Sequence, residues 1–191
     1  VFDEPTWSEA VERQCRSLDA YRDDPYRIGA FPDNEIDWSF SRNPDEHLAA
    51  AFFEAADSPG KHHLVHNFLM PRYEANLSAL NAAWGTAYTS WDGPEETSVL
   101  NASVIPPDDP AFPAIHQDKV DFVRVVADKY FSSTSAAARA HDPNHLVFSN
   151  RIALFGGAFE PHFDDFNRQV WESAGEYCDV IAINSYIEPE S

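Results

Sequence analysis

Lysine is scarce in this chain, occurring only as Lys61, Lys119 and Lys129, and the whole sequence holds 13 basic residues against 32 acidic ones, a formal charge of -19. A surface this negative repels nucleic-acid backbones and anionic membranes, so neither is expected as a partner. A neutral polysaccharide meets no such repulsion. An Asp-rich, Lys-poor surface also suits high salt, where screening relieves self-repulsion. Cysteine is limited to Cys15 and Cys178, one in a helical pattern and one at the head of an apolar strand pattern. The pattern favours buried, unpaired thiols over a disulfide framework or a metal cluster and assigns no compartment. No stretch of ~18 apolar residues is present, so no membrane-spanning helix is expected, and no signal peptide is visible.

The apolar content is 43% over 191 residues, enough for one domain with a substantial core but short of the ~250 residues that eight β/α units need. The chain begins with Val1, and Ser191 comes soon after a strand-like run. Both ends are therefore expected to be cuts in a longer chain.

Periodicity organises the sequence. Trp7, Val11, Cys15 and Leu18 form a helical stripe between Pro5 and Tyr21, with the proline suited to a first turn. Asp23-Asp24-Pro25 stops that helix, and Arg27 to Phe31 reads as a short buried strand. Helical patterns then run over 44–56, 62–70 and 73–84, and 85–113 reads as a long irregular loop. Loops of that length in compact proteins are usually functional or mobile. A strong helix is predicted over 114–140, with Val120, Val123, Ala127, Tyr130 and Phe131 facing a core. Strands at 145–149 and 179–183 flank a loop containing Gly156-Gly157 and a helix over 164–174. The order αβ, helical insertion, αβαβ predicts an α/β fold.

Each of the three predicted strands delivers polar or aromatic groups at its C-terminal end: Asp33-Asn34-Glu35, then Asn150-Arg151, then Asn184-Ser185-Tyr186. Parallel neighbouring strands would bring all three sets to one face, where (β/α) barrels build their sites. Glycoside cleavage requires an acid that protonates the leaving oxygen and a second carboxylate on the other side of the sugar. Glu35, between Phe31 and Trp38, has apolar walls that can keep a carboxyl protonated near neutrality. Asn34 beside it can bond a sugar hydroxyl, although Asp33 and Asn34 would equally serve as a cap and turn. Trp38, Tyr88 and Trp91 sit in loops, where an indole or phenol ring can stack on a sugar. Trp7, Trp84 and Trp171 lie on helical stripes and are assigned to packing. His62 and His66 stand four apart, the spacing of zinc ligands on a helix. The glutamate of His-Glu-x-x-His is missing, however, with His63 in its place, so no metal is assigned and no cofactor is implied.

The segment Gly29-Ala-Phe-Pro-Asp-Asn-Glu-Ile-Asp-Trp38 resembles the fourth-strand region of clan A glycoside hydrolases. Leu80 to Trp91 resembles the segment after that strand in β-agarase and β-galactosidase-like members, with agarase family 50 the nearest group. Asp142 to Arg151 and Cys178 to Tyr186 are similar to the fifth and sixth strands. The resemblance covers nearly the whole chain. It implies part of a (β/α)8 TIM barrel, residues 1–191, with 44–113 as a helical and loop insertion. It also implies Glu35 as acid/base, Asn34 as partner of a sugar hydroxyl, and Arg151, Asn184 and Tyr186 as lining groups, to which Asp33 and the loop residues Trp38 and Trp91 are added as substrate-binding candidates.

The nucleophilic glutamate of such enzymes ends the seventh strand. Glu188 and Glu190 come too soon after Tyr186 to occupy it, so the nucleophile and the rest of the barrel are expected outside this chain. Two functions remain open on the sequence: a retaining O-glycosidase of a neutral carbohydrate, agarase- or galactosidase-like, and a non-catalytic carbohydrate-binding remnant of the same barrel.

Overall fold

The structure is a computed structural model and describes residues 1–36, 38, 51–53, 55, 58–92, 108–155 and 163–186. The chain divides into two compact units. The first comprises Val1, Asp3–Phe40 and Arg124–Ser191; the second comprises Phe2 and Ser41–Val123.

The first unit opens with helix α1 (Thr6–Cys15), continued by a 3-10 turn over Arg16–Tyr21, and then strand β1 (Gly29–Ala30). The predicted stripe is the face that α1 buries: Val11, Cys15 and Leu18 pack with Ala30, Ala138 and Val147 against the flanking Trp7 and Ala137. Burying an aliphatic side chain of this size contributes ~1.5–3 kcal/mol. The long helix α5 (Phe112–His141) supplies Ala138, and its predicted core positions Val120, Val123, Ala127, Tyr130 and Phe131 are each 4% exposed or less. Strands β2 (Leu146–Val147), β3 (Ile152–Phe155) and β4 (Ile183–Tyr186), with helix α6 (Phe163–Tyr177) between the last two, complete the unit.

Every described strand pairing is parallel. β1 pairs with β2 in the register Gly29 to Leu146 and Ala30 to Val147. A bridge joins Phe148 to Val180, and β3 pairs with β4 from Ile152–Ile183 to Phe155–Tyr186. The run 146–155 therefore has the β1 segment on one side and the run 180–186 on the other. Gly29 permits the first pairing, because a Cβ there would collide with the carbonyl oxygen of Leu146.

Three boundaries differ from the sequence reading. Ile152–Phe155, read as loop, is a strand. The last strand is Ile183–Tyr186 rather than 179–183, and Val180, Ile181 and Ile183 are 38%, 41% and 49% exposed, so that run is less buried than its composition suggests. Likewise only Gly29–Ala30 of the first strand is regular, and Ile28 is 72% exposed. Both cysteines are free, with Cys15 buried and Cys178 half-buried; burial pushes each thiol up to about 11.

The second unit contains α2 (Pro59–His62), a π-helical segment His63–Leu69, α3 (Met70–Arg72) and α4 (Leu77–Trp84), together with the start of α5. Asn76 caps α4 through Ala79 N–H at 3.2 Å, and Gly85 closes it in the left-handed region at φ 64. Its core is apolar, with Phe53, Leu64, Val65, Leu69, Leu80 and Phe122 fully buried. Inside it, Asp118 accepts from Tyr73 Oη and Trp84 Nε1, each at 2.7 Å, and from Arg72 Nε at 2.5 Å. Burial raises the Asp118 carboxyl pKa while these three donors oppose the shift. No described helix is long and apolar enough to cross a membrane.

Candidate functional site

The site begins where β1 ends. Phe148 N–H donates to Ala30 O at 2.9 Å, the last rung of the β1–β2 pairing, and the chain then leaves the sheet through Pro32. Gln14 of α1 donates to Pro32 O at 2.5 Å. Asp33 turns back on itself: its Oδ1 accepts from Asn34 N–H at 2.8 Å, and its Oδ2 accepts from Tyr130 Oη at 3.4 Å. The turn made by Asp33 is thus real, and it presents Asn34 and Glu35, both exposed, at the end of the strand.

Residues at the starts of β3 and β4 reach these two residues. Arg151, directly before β3, donates through Nη2 to Asn34 Oδ1, and its guanidinium carbon lies 5.8 Å from the Phe31 ring centroid. A guanidinium offers donors only, so the Asn34 amide must present its oxygen there. Asn184, on β4, donates through Nδ2 to Glu35 Oε1. Ser149 supports the arrangement from below: its backbone N–H donates to Val180 O at 2.8 Å and its hydroxyl accepts from Ala182 N–H at 3.0 Å. Four predicted residues, Asn34, Glu35, Arg151 and Asn184, therefore form two hydrogen-bonded pairs, drawn from the segment after β1, the residue before β3 and the second residue of β4. Asp33 joins them through the backbone of Asn34.

Trp38 corrects the sequence reading. It is 1% exposed, stacks on Phe131 with centroids 5.4 Å apart at 22°, meets Tyr130 edge-on at 5.2 Å and 81°, and donates from Nε1 to Asn150 Oδ1 at 3.3 Å. Both the ring and its N–H are committed to protein, so no face remains for a sugar. Tyr186 ends β4 opposite Phe155 in the pairing register. Trp91 belongs to the second unit, in a turn, and is half-buried. Asp37, Gly156-Gly157, Glu188 and Glu190 lie outside the described residues. The His62 and His66 rings are 4.5 Å apart, tilted by 32°. Among the described residues no three His, Cys, Asp or Glu side chains converge as metal ligands.

Tyr130, Ser149 and Gln14 support the site, and the sequence does not single them out for that role. Tyr130 and Gln14 lie on helices, 97 and 18 positions from the residues they hold. A helical stripe marks the first as core and gives no sign of its polar partner.

A family described as β-galactosidase, glycoside hydrolase 42, matches residues 1–191. β-Agarase A of Vibrio sp. (strain JT0107) is 29% identical over 170 residues, 84% of this chain and 15% of that protein. β-Agarase B of the same strain is 26% identical over 191 residues, 97% of this chain and 18% of that protein. A solved structure of an exo-β-agarase superposes with a TM-score of 0.78 at 22% identity, over 97% of this chain and 23% of that one. The parallel strands and their helices are part of a (β/α)8 barrel, and the chain spans less than a fifth of the length of these two curated relatives.

Proposed function

Because the chain belongs to the β-galactosidase family of glycoside hydrolases, we propose that it carries the acid half of a glycosidase site, cleaving O-glycosidic bonds of a neutral galactan-type polysaccharide or oligosaccharide. The observation that carries this reading is the convergence of Asn34-Glu35, after β1, with Arg151 and Asn184 at the starts of the parallel strands β3 and β4. Glu35 is the acid that protonates the leaving oxygen. Asn184 donates to one carboxylate oxygen, fixing the carboxyl plane and supporting the charge left after the proton departs. Arg151 engages the amide oxygen of Asn34, which leaves the amide N–H groups for a sugar hydroxyl. Tyr186 remains a substrate-lining candidate, and Asp33 contributes through the turn it makes.

In a retaining mechanism the second carboxyl stands ~5–5.5 Å from the acid and attacks the sugar carbon. We assign that nucleophile, and the remaining strands, to a further part of the barrel, in keeping with the small share of the agarases that this chain spans. The chemistry asks for no metal or cofactor. A panel of aryl glycosides and agar-type oligosaccharides, incubated with the natural full-length protein that contains this segment, tests the reading. Hydrolysis of a β-galactoside or agar oligosaccharide supports it. Sugar binding without hydrolysis would replace it with the binding-only reading, and neither would remove carbohydrate altogether.

A further inference from the structure

Glu35 is exposed on a segment that has left the sheet, yet general-acid catalysis needs its carboxyl held within a fraction of an ångström of the leaving oxygen. Something must hold that segment. The tie at its start is Asp33, whose Oδ1 accepts from Asn34 N–H at 2.8 Å and whose Oδ2 accepts from Tyr130 Oη at 3.4 Å. The tie at its end is Trp38, 1% exposed, wedged edge-on against Tyr130 and stacked on Phe131. Both ties meet on one residue of α5. We propose that Tyr130 is a positioning residue for the Glu35 carboxyl, acting through the two ends of the segment that carries it; the inference rests on the acid role proposed above for Glu35.

The chemistry of Tyr130 fits the task. The ring is 4% exposed and also lies 5.8 Å from Trp7 at 44°, so it is fixed by packing before its hydroxyl is considered. A buried phenol seeks a hydrogen-bond partner, and Asp33 supplies one. Burial, reinforced by the Asp33 carboxylate, pushes the phenol pKa above its ordinary range, so the group remains a donor across working pH. A phenylalanine would keep the wedge against Trp38 and lose only the tie to Asp33. Leucine would lose both.

The test uses the natural full-length protein and a series of aryl β-galactosides whose leaving groups run from dinitrophenol, which departs without protonation, to unsubstituted phenol, which needs an acid. In the series, kcat/KM reports the bond-breaking step. Tyr130→Phe is expected to retain activity on the dinitrophenyl galactoside and to lose ~10-fold on the phenyl galactoside, with Tyr130→Leu losing more, since a misplacement of about 1 Å can cost ~10²-fold. A general loss of folded protein would depress the whole series equally. Asp33→Ala combined with Tyr130→Phe is expected to be no worse than Asp33→Ala alone, because the two act in one chain of contacts.

Glu35→Gln, measured alongside, separates the role of Tyr130 from that of Glu35. A steep leaving-group dependence in Glu35→Gln with a flat one in Tyr130→Phe, or additive losses in the double variant, overturns the role of Tyr130 alone. A flat dependence in Glu35→Gln removes the acid role of Glu35 and that of Tyr130 with it.

Discussion

The Asn184 side-chain amide donates to a Glu35 carboxylate oxygen although 149 positions of sequence separate them. The segment after β1 and the start of β4, separated by the run that carries Arg151, meet at this bond. If it holds the carboxyl in place for proton transfer, Asn184→Ala lowers kcat/KM on substrates with poor leaving groups by ~10-fold or more, the scale of one hydrogen bond to a charged group. Steady-state kinetics on phenyl galactoside would show it. An unchanged value would reduce the contact to a packing detail.

The β1–β2 pairing depends on Gly29. A methyl group there meets the carbonyl oxygen of Leu146, and backbone cannot swing aside as a side chain can. Gly29→Ala is expected to cost ~1–3 kcal/mol in urea unfolding and, by shifting β1, to weaken catalysis as well. A midpoint equal to wild type would mean that the strands separate without penalty.

In the second unit, Arg72 bridges Asp118 and Asp121, at 2.5 and 2.7 Å. Removing one partner of a buried pair leaves an uncompensated charge. Arg72 is one-third exposed, so Arg72→Met is expected to cost about 2 kcal/mol rather than the full penalty of a buried pair. Because burial raises the folded pKa of Asp118, its ionised form weighs against folding above that pKa, and the deficit of Arg72→Met should shrink as pH falls through it. Urea titrations at several pH values read both effects. A deficit constant with pH would contradict them.

His141 bonds Asp19 Oδ1 at 2.8 Å and Glu12 Oε1 at 3.0 Å. The hydrogen bond to Asp19 and then that to Glu12 raise its pKa above the ordinary histidine value. A raised folded pKa means that the protonated form is favoured by folding. The stabilisation is complete below ~6.5 and is lost as pH rises through the elevated folded pKa. His141→Gln should flatten that part of the Tm-against-pH curve, with the loss confined to the acidic side. Equal losses at pH 6 and pH 9 would argue against an ionic role.

The sequence displays the strand ends more clearly than the strands. Asp33-Asn34-Glu35, Asn150-Arg151 and Asn184 stand out because each polar group comes directly after an apolar run, and the structure brings them together. The strand limits are less legible. Val180 to Ile183 reads as buried strand because it is apolar, yet it is partly exposed and pairing resumes only at Ile183. Ile152–Phe155 is hidden between Asn150-Arg151 and Gly156-Gly157, both of which signal loop. Trp38 misleads because its position after β1 suggests exposure, whereas its indole partner, Asn150, comes 112 positions later. Tertiary partners of that kind leave no local periodicity to read.

As the proposed proton donor of a glycosidase site, Glu35 is the residue on which hydrolysis should depend. The most direct measurement is hydrolysis of an agar-type oligosaccharide by the natural full-length protein, wild type against Glu35→Gln, with sugar binding measured in parallel. The loss of kcat expected is ~10²–10⁴-fold, the usual contribution of a general acid, with binding retained. Wild-type turnover in Glu35→Gln would contradict it.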